Sequence, residues 1–270
     1  MHTTDFIKIL DYQKETNIES TIIKHFDSKI LFIIDNIEFE TAESLKDFSK
    51  NLGKVVDFGD LSGNFFATQV VKKNAVDKKS YGGWYYLGTE GFGDWHYDGV
   101  ASQDTYSHTC VYSHQLPGPN RGDTIFSFTN IALRDLSSTY KKLLDDLRIT
   151  HVQRPIKNWP QEWFEKMSQH HDLAHVFKKT TRPIISSWHG LKGIYVSPSR
   201  AWNIEGMYEE ESQGIIDFLS KHIVRDEYCY RHAWKPNQLV IWNNWLSLHY
   251  PVNDYDCNER ELWRVCIDCQ

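Results

Sequence analysis

Apolar positions along this chain recur with two different periods, and the period changes along the sequence. Ile30 to Ile34 is a short continuous apolar run of strand type, while Ala42 to Leu52 has the spacing of a helix. Leu133, Leu136, Tyr140, Leu143, Leu144 and Leu147 return at helical intervals and predict one amphipathic helix over Ala132 to Leu147. A second helix is predicted from about Tyr208 to Ile223, with Ile215, Ile216, Leu219 and Ile223 on one stripe. Its acidic start, Glu209 to Glu211, suits the positive end of the helix dipole. The other patterned segments read as strands. Tyr106 to Leu116 alternates loosely, Pro117-Gly118-Pro119-Asn120 is a turn, and Thr124 to Phe128 is β-rich. Tyr228 to Trp234, Gln238 to Trp242 and Leu262 to Ile267 follow as further strands. Short strands on both sides of the helices, without regular strand–helix alternation, predict a mainly β fold with flanking helices (α+β), a sandwich or jelly roll rather than a doubly wound sheet.

With 270 residues, 40% of them hydrophobic, the chain can bury a sizeable core, and the absence of repeats or interdomain linkers predicts a single domain over 1–270. Between Lys72 and Gly93 the chain is polar, with five glycines around Trp84, Tyr85 and Tyr86, and it reads as a lid loop over 72–93. A helical insertion is expected near 156–180. The net charge of -6 and scattered Lys and Arg give no basic field for a phosphate backbone, so nucleic acid is not expected as a partner. No apolar run approaches the roughly 20 residues that span a bilayer. Met1 to Asp11 lacks the order of a signal peptide, and a cytoplasmic, membrane-free protein is expected, with a homo-oligomer left open. Five cysteines argue against a disulfide scaffold, and the Cys266-x-x-Cys269 pair has no second pair or nearby His to make it a zinc site.

The chemistry is concentrated in Gly93-Asp94-Trp95-His96-Tyr97-Asp98-Gly99. An imidazole and a carboxylate two residues apart project from the same face of an extended chain and can bind one ion. Alone, the pair also fits a polar surface turn. Two His and one carboxylate on an octahedral ion leave three adjacent positions open, as non-heme Fe(II) requires. His249 is the best third ligand because it follows the apolar strand Leu239 to Trp242. The rival group His170, His171 and His175 lies in a polar stretch poor in carboxylate. Near the C-terminus, Arg260 and Arg264 share one face of a strand whose opposite face carries Trp263, Val265 and Ile267. If that face lines a cavity, its guanidinium groups call for anionic partners, and Arg pairs with carboxylates in a planar fork.

These motifs resemble the taurine/2,4-dichlorophenoxyacetate dioxygenase family of Fe(II)/2-oxoglutarate-dependent oxygenases. Trp95-His96-Tyr97-Asp98 is similar to the family's Trp-His-x-Asp, and Arg121-Gly122-Asp123-Thr124 to its Gly-Gly-Asp-Thr stretch. Arg182-Pro183-Ile184-Ile185 and Gly193-Ile194-Tyr195-Val196 look like two further family stretches. Trp242-Asn243-Asn244 precedes His249, with the two arginines eleven and fifteen residues later. The resemblance implies a double-stranded β-helix, iron held by His96, Asp98 and His249, and the remote carboxylate of 2-oxoglutarate held by Thr124 and Arg260. It also implies O2 as co-substrate, succinate as a product, and hydroxylation or desaturation of a small substrate. Arg264 and Arg200 are the candidates for meeting an acidic group of that substrate. Trp242-Asn243-Asn244-Trp245 departs from the family's usual Trp-Asp-Asn-Arg, which changes residues around the ligands rather than the ligands. Leu61 to Phe66 stands where the taurine enzyme carries a histidine-bearing recognition loop, which makes taurine a poor substrate guess. A jelly-roll hydrolase or isomerase using Zn or Mn, and a catalytically silent ligand-binding relative, are the alternatives.

Overall fold

The computed structural model describes residues 2–56, 95–100, 106–152, 179–252, 254–255 and 260–269, together with the backbone of short strands at 58–59, 65–66 and 68–72. Most of the expected lid over 72–93 and of the insertion near 156–180 lies outside the described residues, as do Trp84, Tyr85, Tyr86, His170, His171 and His175. At the far end of the insertion, Lys179 and Thr180 open a strand.

In chain order the elements are β1 (Ile7–Asp11), α1 (Ile18–His25), β2 (Leu31–Asp35), α2 (Ala42–Lys50), β3 (Lys54–Val56), β4 (Phe58–Gly59), β5 (Phe65–Phe66), β6 (Thr68–Lys72), β7 (His108–Gln115) and β8 (Thr124–Phe128). They continue as α3 (Thr129–Arg134), α4 (Ser138–Leu144), β9 (Arg148–Val152), β10 (Lys179–Pro183), β11 (Ile185–Trp188), β12 (Leu191–Ile194), β13 (Ala201–Ile204) and α5 (Glu209–His222). The chain closes with β14 (Cys229–His232), β15 (Leu239–Asn243), β16 (Ser247–Pro251) and β17 (Glu261–Asp268).

The expected mainly β architecture is present. A major sheet runs β1-β2-β15-β7-β17-β3, with β6 also on β17, and a minor sheet runs β14-β8-β16. The major sheet is antiparallel except for β1 against β2. Its strands alternate as a two-faced sheet must. Cys110, Tyr112, Trp263, Val265 and Ile267 pack under α1 and α2, whereas Val111, Val240, Trp242 and Leu262 turn inward. There they meet Phe126, Phe128 and Leu248 of the minor sheet. The Leu31 to Ile34 run is buried on both faces, which is why it lacks alternation.

Two expectations need correction. The single helix predicted over Ala132 to Leu147 is two, because Ser137 ends one and starts the next: its side chain accepts from the Tyr140 backbone N–H at 3.2 Å. Leu136 stays buried at the break while Leu143 faces solvent, so the apolar stripe survives without a continuous helix. Arg260 lies one residue before β17, and the ladder to β7 shifts register between Glu261 and Leu262. The helix expected from Tyr208 is α5, and the Tyr208 N–H is capped by Glu211 Oε2 at 2.8 Å. Among the described residues no helix is long and apolar enough to cross a membrane.

Candidate metal centre and anion pocket

His96 and His249 are brought together by the backbone. The segment around His96 forms an antiparallel bridge to β16, with His96 N–H donating to His249 O at 3.1 Å and His249 N–H donating to His96 O at 3.0 Å. Residues that exchange both bonds have Cα atoms about 5.5 Å apart and side chains on the same face. The two imidazole rings accordingly lie 4.2 Å apart between centroids. Asp98, one pleat further on, returns to that face, and Gly99 at φ +67° turns the chain away immediately after it. A Cβ on Gly99 would meet the Tyr106 ring at 2.6 Å, so the turn is closed to any larger residue. One donor atom from each of His96, Asp98 and His249 lies within 4.8 Å of the others, the only such cluster among the described residues. Two imidazoles and a carboxylate on one side suit a single six-coordinate ion.

The Asp98 carboxylate is buried, yet it stays charged. Burial pushes its pKa up, but Arg264, His249, His96 and the Thr109 hydroxyl together outweigh that and hold it at about 2. Arg264 Nη1 donates to Oδ1 at 3.0 Å, and Thr109 Oγ1 donates to Oδ2 at 2.9 Å. Both partners belong to the inner face of the major sheet, where Cys266 stands opposite Thr109 and Arg264 opposite Val111.

A second group of side chains gathers along β8. Thr124 is one pleat, about 7 Å, from Phe126, the residue opposite His249. Its Oγ1 accepts from Trp234 Nε1–H at 3.0 Å. The Arg260 guanidinium lies over the faces of Trp234, at 5.9 Å, and Tyr255, at 5.6 Å. Arg260 is only 6% exposed, and among the described residues no carboxylate pairs with it; its one polar contact is Nη1 to the Tyr255 hydroxyl at 3.4 Å. Gly122 makes room for it: at φ +71°, a Cβ there would meet Pro117 at 3.0 Å and the Arg260 side chain at 3.4 Å. The structure therefore brings Thr124 and Arg260 to one indole, around a buried cation that has no carboxylate partner among the described residues.

Residues 7–266 match the profile of a family described as taurine catabolism dioxygenase TauD, TfdA family. The chain belongs to this family. It is 29% identical over 155 residues to the alpha-ketoglutarate-dependent 2,4-dichlorophenoxyacetate dioxygenase of Burkholderia sp. (strain RASC), a match covering 57% of this chain and 51% of that protein. To pentalenolactone F synthase of Streptomyces arenae it is 20% identical over 266 residues, covering 94% of this chain and 86% of the other. The chain spans about half the length of most of the curated relatives it matches. Among solved structures, AAD-2 in complex with Mn(II) and N-oxalylglycine superposes with a TM-score of 0.71 at 19% identity, covering 99% of this chain and 94% of that one. A putative alpha-ketoglutarate-dependent taurine dioxygenase from Burkholderia xenovorans gives 0.69 at 21%, covering 94% of this chain and 83% of that chain. This likeness is one of fold, and it gives the two facing sheets the jelly-roll form expected for the TauD/TfdA family.

Within that family fold, Arg200 and Arg264 occupy different surroundings. Arg264 stands on Asp98. Arg200 is half-buried in the turn before β13, beside Ser199, whose hydroxyl donates to Trp95 O at 3.3 Å, so its turn touches the segment that carries His96. Burial, then the charges of Arg182 and Arg200, hold the neighbouring His151 at about 3. Of the residues before His249, Asn243 departs from the family stretch and Asn244 matches it, and both are engaged. Asn243 Oδ1 caps the turn into β16 by accepting from Trp245 and Leu246 N–H at 2.8 and 3.1 Å, while Asn244 Nδ2 reaches Thr109 Oγ1 at 2.8 Å. Thr109, Trp234 and Tyr255 are the site residues that sequence reasoning missed. Trp234 carries a usable signal, an aromatic just past a strand that pairs with the Thr124 segment; Thr109 carries none.

Proposed function

We propose that this chain is an Fe(II)- and 2-oxoglutarate-dependent dioxygenase that oxidises a small carboxylated metabolite. The observation that carries the reading is the nearness of two groups: a His96, Asp98, His249 donor cluster, and, one pleat along β8 from it, Thr124 with a buried Arg260 that pairs with no carboxylate among the described residues. The names of the relatives in the family support it. When bound, the metal with 2-oxoglutarate and O2 supplies an oxidant able to remove hydrogen from an unactivated C–H bond, with succinate and CO2 as co-products.

The protein's own part is binding and orientation. His96, His249 and Asp98 hold one side of the ion and leave the other open. Arg260 receives the remote carboxylate of 2-oxoglutarate, and the neutral hydroxyl of Thr124 completes its contacts. Because the Trp234 indole already donates to Thr124 Oγ1, the Thr124 proton is left to point at an acceptor in the pocket. Arg264 and Arg200 present cations on the metal side of the cavity, where an acid group of the substrate is held. The guanidinium of Arg264 has five N–H donors, so its bond to Asp98 does not exhaust it. A hydrolytic Zn or Mn centre would use the same triad but leave Arg260 and Thr124 without a task.

The test is an anaerobic titration with Fe(II) and 2-oxoglutarate. Wild type is expected to develop a visible charge-transfer band that His96→Ala does not, and then to release succinate when the right acidic metabolite is supplied. A wild type that shows no band sinks the proposal.

A further inference from the structure

Asp98 is gripped on both carboxylate oxygens, and the two grips differ in kind. Oδ1 accepts from Arg264 Nη1 at 3.0 Å and is also the oxygen that faces His96, with Nε2 at 3.9 Å. Oδ2 accepts from the Thr109 hydroxyl at 2.9 Å. Arg264 sits at the end of a long side chain that can yield when an ion takes over Oδ1. Thr109 cannot: it is short, fully buried, and fixed in β7 between β15 and β17, opposite Trp242 on one side and Cys266 on the other.

The direction of the Thr109 proton follows from its neighbours. A hydroxyl has one proton to give and two lone pairs to accept with. Asn244 Nδ2 fills one lone pair at 2.8 Å, and the Cys266 thiol, a weak donor at 3.4 Å, stands at another. The single proton then goes to the one neighbour with full negative charge, Oδ2 of Asp98. Asn244 is itself anchored by its backbone N–H on Ser107 O at 2.7 Å, so the row from β15 through β7 to the carboxylate is fixed at each step.

We infer that Thr109, oriented by Asn244, is a positioning residue of the metal centre: it occupies Oδ2 of Asp98 and so presents Oδ1 alone to the ion. The inference rests on the proposed dioxygenase reading. Its consequence is that Asp98 contributes one oxygen rather than two, and the positions needed by a two-point co-substrate and O2 stay open. Valine at 109 would fill the same volume, so packing alone would make no use of the hydroxyl.

The experiment is a titration of the metal-free chain with Mn(II), followed by electron paramagnetic resonance, for wild type, Thr109→Val, Thr109→Ala, Thr109→Ser and His96→Ala. Loss of an outer contact of this kind weakens metal binding by about 10- to 100-fold. That weakening is expected in Thr109→Val and Thr109→Ala, with affinity recovered in Thr109→Ser, where the hydroxyl returns. Circular dichroism melts confirm folding, and the alanine variant carries the test if the valine methyls crowd Cys266. A folded Val or Ala variant that binds Mn(II) like wild type, while His96→Ala does not bind, overturns the role of Thr109 alone. Absence of binding in wild type overturns the metal centre itself.

Discussion

Arg260 and Arg264 are the same residue type, four positions apart, one just before β17 and the other within it, and their electrostatic situations are opposite. Arg264 is 24% exposed in its side chain and neutralised within the protein, by a carboxylate that it holds in charged form. Arg260 is more deeply buried, sandwiched by aromatic rings, with no carboxylate beside it among the described residues. Burying an unpaired charge is costly, whereas a paired one recovers much of the loss. On the proposed reading, the difference separates a cation already answered by a carboxylate of the protein from one whose counter-charge is left to 2-oxoglutarate.

The sharpest way to break this comparison is to remove each guanidinium in turn and measure stability without ligands. Arg264→Met leaves Asp98 as a buried carboxylate that has lost its principal counter-charge, and is expected to cost about 3 to 5 kcal/mol in urea unfolding. Arg260→Met removes a buried cation that has no ionic partner among the described residues, and is expected to be neutral or mildly stabilising. Equal losses from both would show that the two sites do not differ as described.

Ligand binding should reverse the ranking. Truncating one member of a buried charged pair across an interface costs about 2 to 5 kcal/mol. Calorimetric titration of metal-loaded protein with 2-oxoglutarate is therefore expected to show binding lost or reduced by at least about 30-fold in Arg260→Met. Retention of full affinity there would remove the anion pocket from the mechanism.

How much of this was legible beforehand depends on the range of the interaction. The inward direction of Arg264 is a local property, given by the two-residue period of its strand, and so is the projection of His96 and Asp98 toward one ion; Arg260, just outside β17, is not covered by that period. His249 could be placed because it follows the apolar strand Leu239 to Trp242, although it stands in the middle of the next strand, β16. What was not legible was the partner of each charge. That Arg264 meets Asp98, 166 residues away, and that Asn244 meets Thr109, 135 residues away, are consequences of sheet register, which no local pattern encodes. Strand β1 was missed, and with it its parallel pairing to the expected β2, for a related reason: five residues of Ile-Lys-Ile-Leu-Asp are too few to separate strand from helix until a neighbouring strand covers them. The break between α3 and α4 was available in principle, since Ser137-Ser138-Thr139 is a capping signal, but the leucine periodicity running through it masked the stop.

Acid titration sharpens the comparison from another direction, because the Asp98–Arg264 pair keeps its charges until pH approaches about 2. Stability must be lost earlier through other groups. His108 and His151 are held at about 3, and His232 at about 4, all chiefly by burial. Folded values below the unfolded one mean that the unfolded chain binds more protons between the two, so stability is full above about pH 6.5 and falls as pH drops toward the folded values. Each histidine costs about 2 kcal/mol by pH 5. Urea midpoints should decline steadily from pH 7 to pH 5; a flat profile would mean that these rings are not buried in neutral form.

The smallest effect tests the division of labour inside the anion pocket. Trp234→Phe keeps an aromatic face under Arg260 but removes the indole N–H that donates to Thr124 Oγ1. The cation should be unaffected, while the Thr124 hydroxyl loses the contact that aims its proton. A single neutral hydrogen bond is worth about 0.5 to 1.5 kcal/mol net, so 2-oxoglutarate affinity is expected to weaken about 2- to 12-fold. Thr124→Val should weaken binding at least as much, and combining it with Trp234→Phe should add nothing further, because the indole acts only through that hydroxyl. An additive double variant would show instead that Trp234 serves Arg260 directly, through its ring, and that the two halves of the pocket are less separable than their geometry indicates.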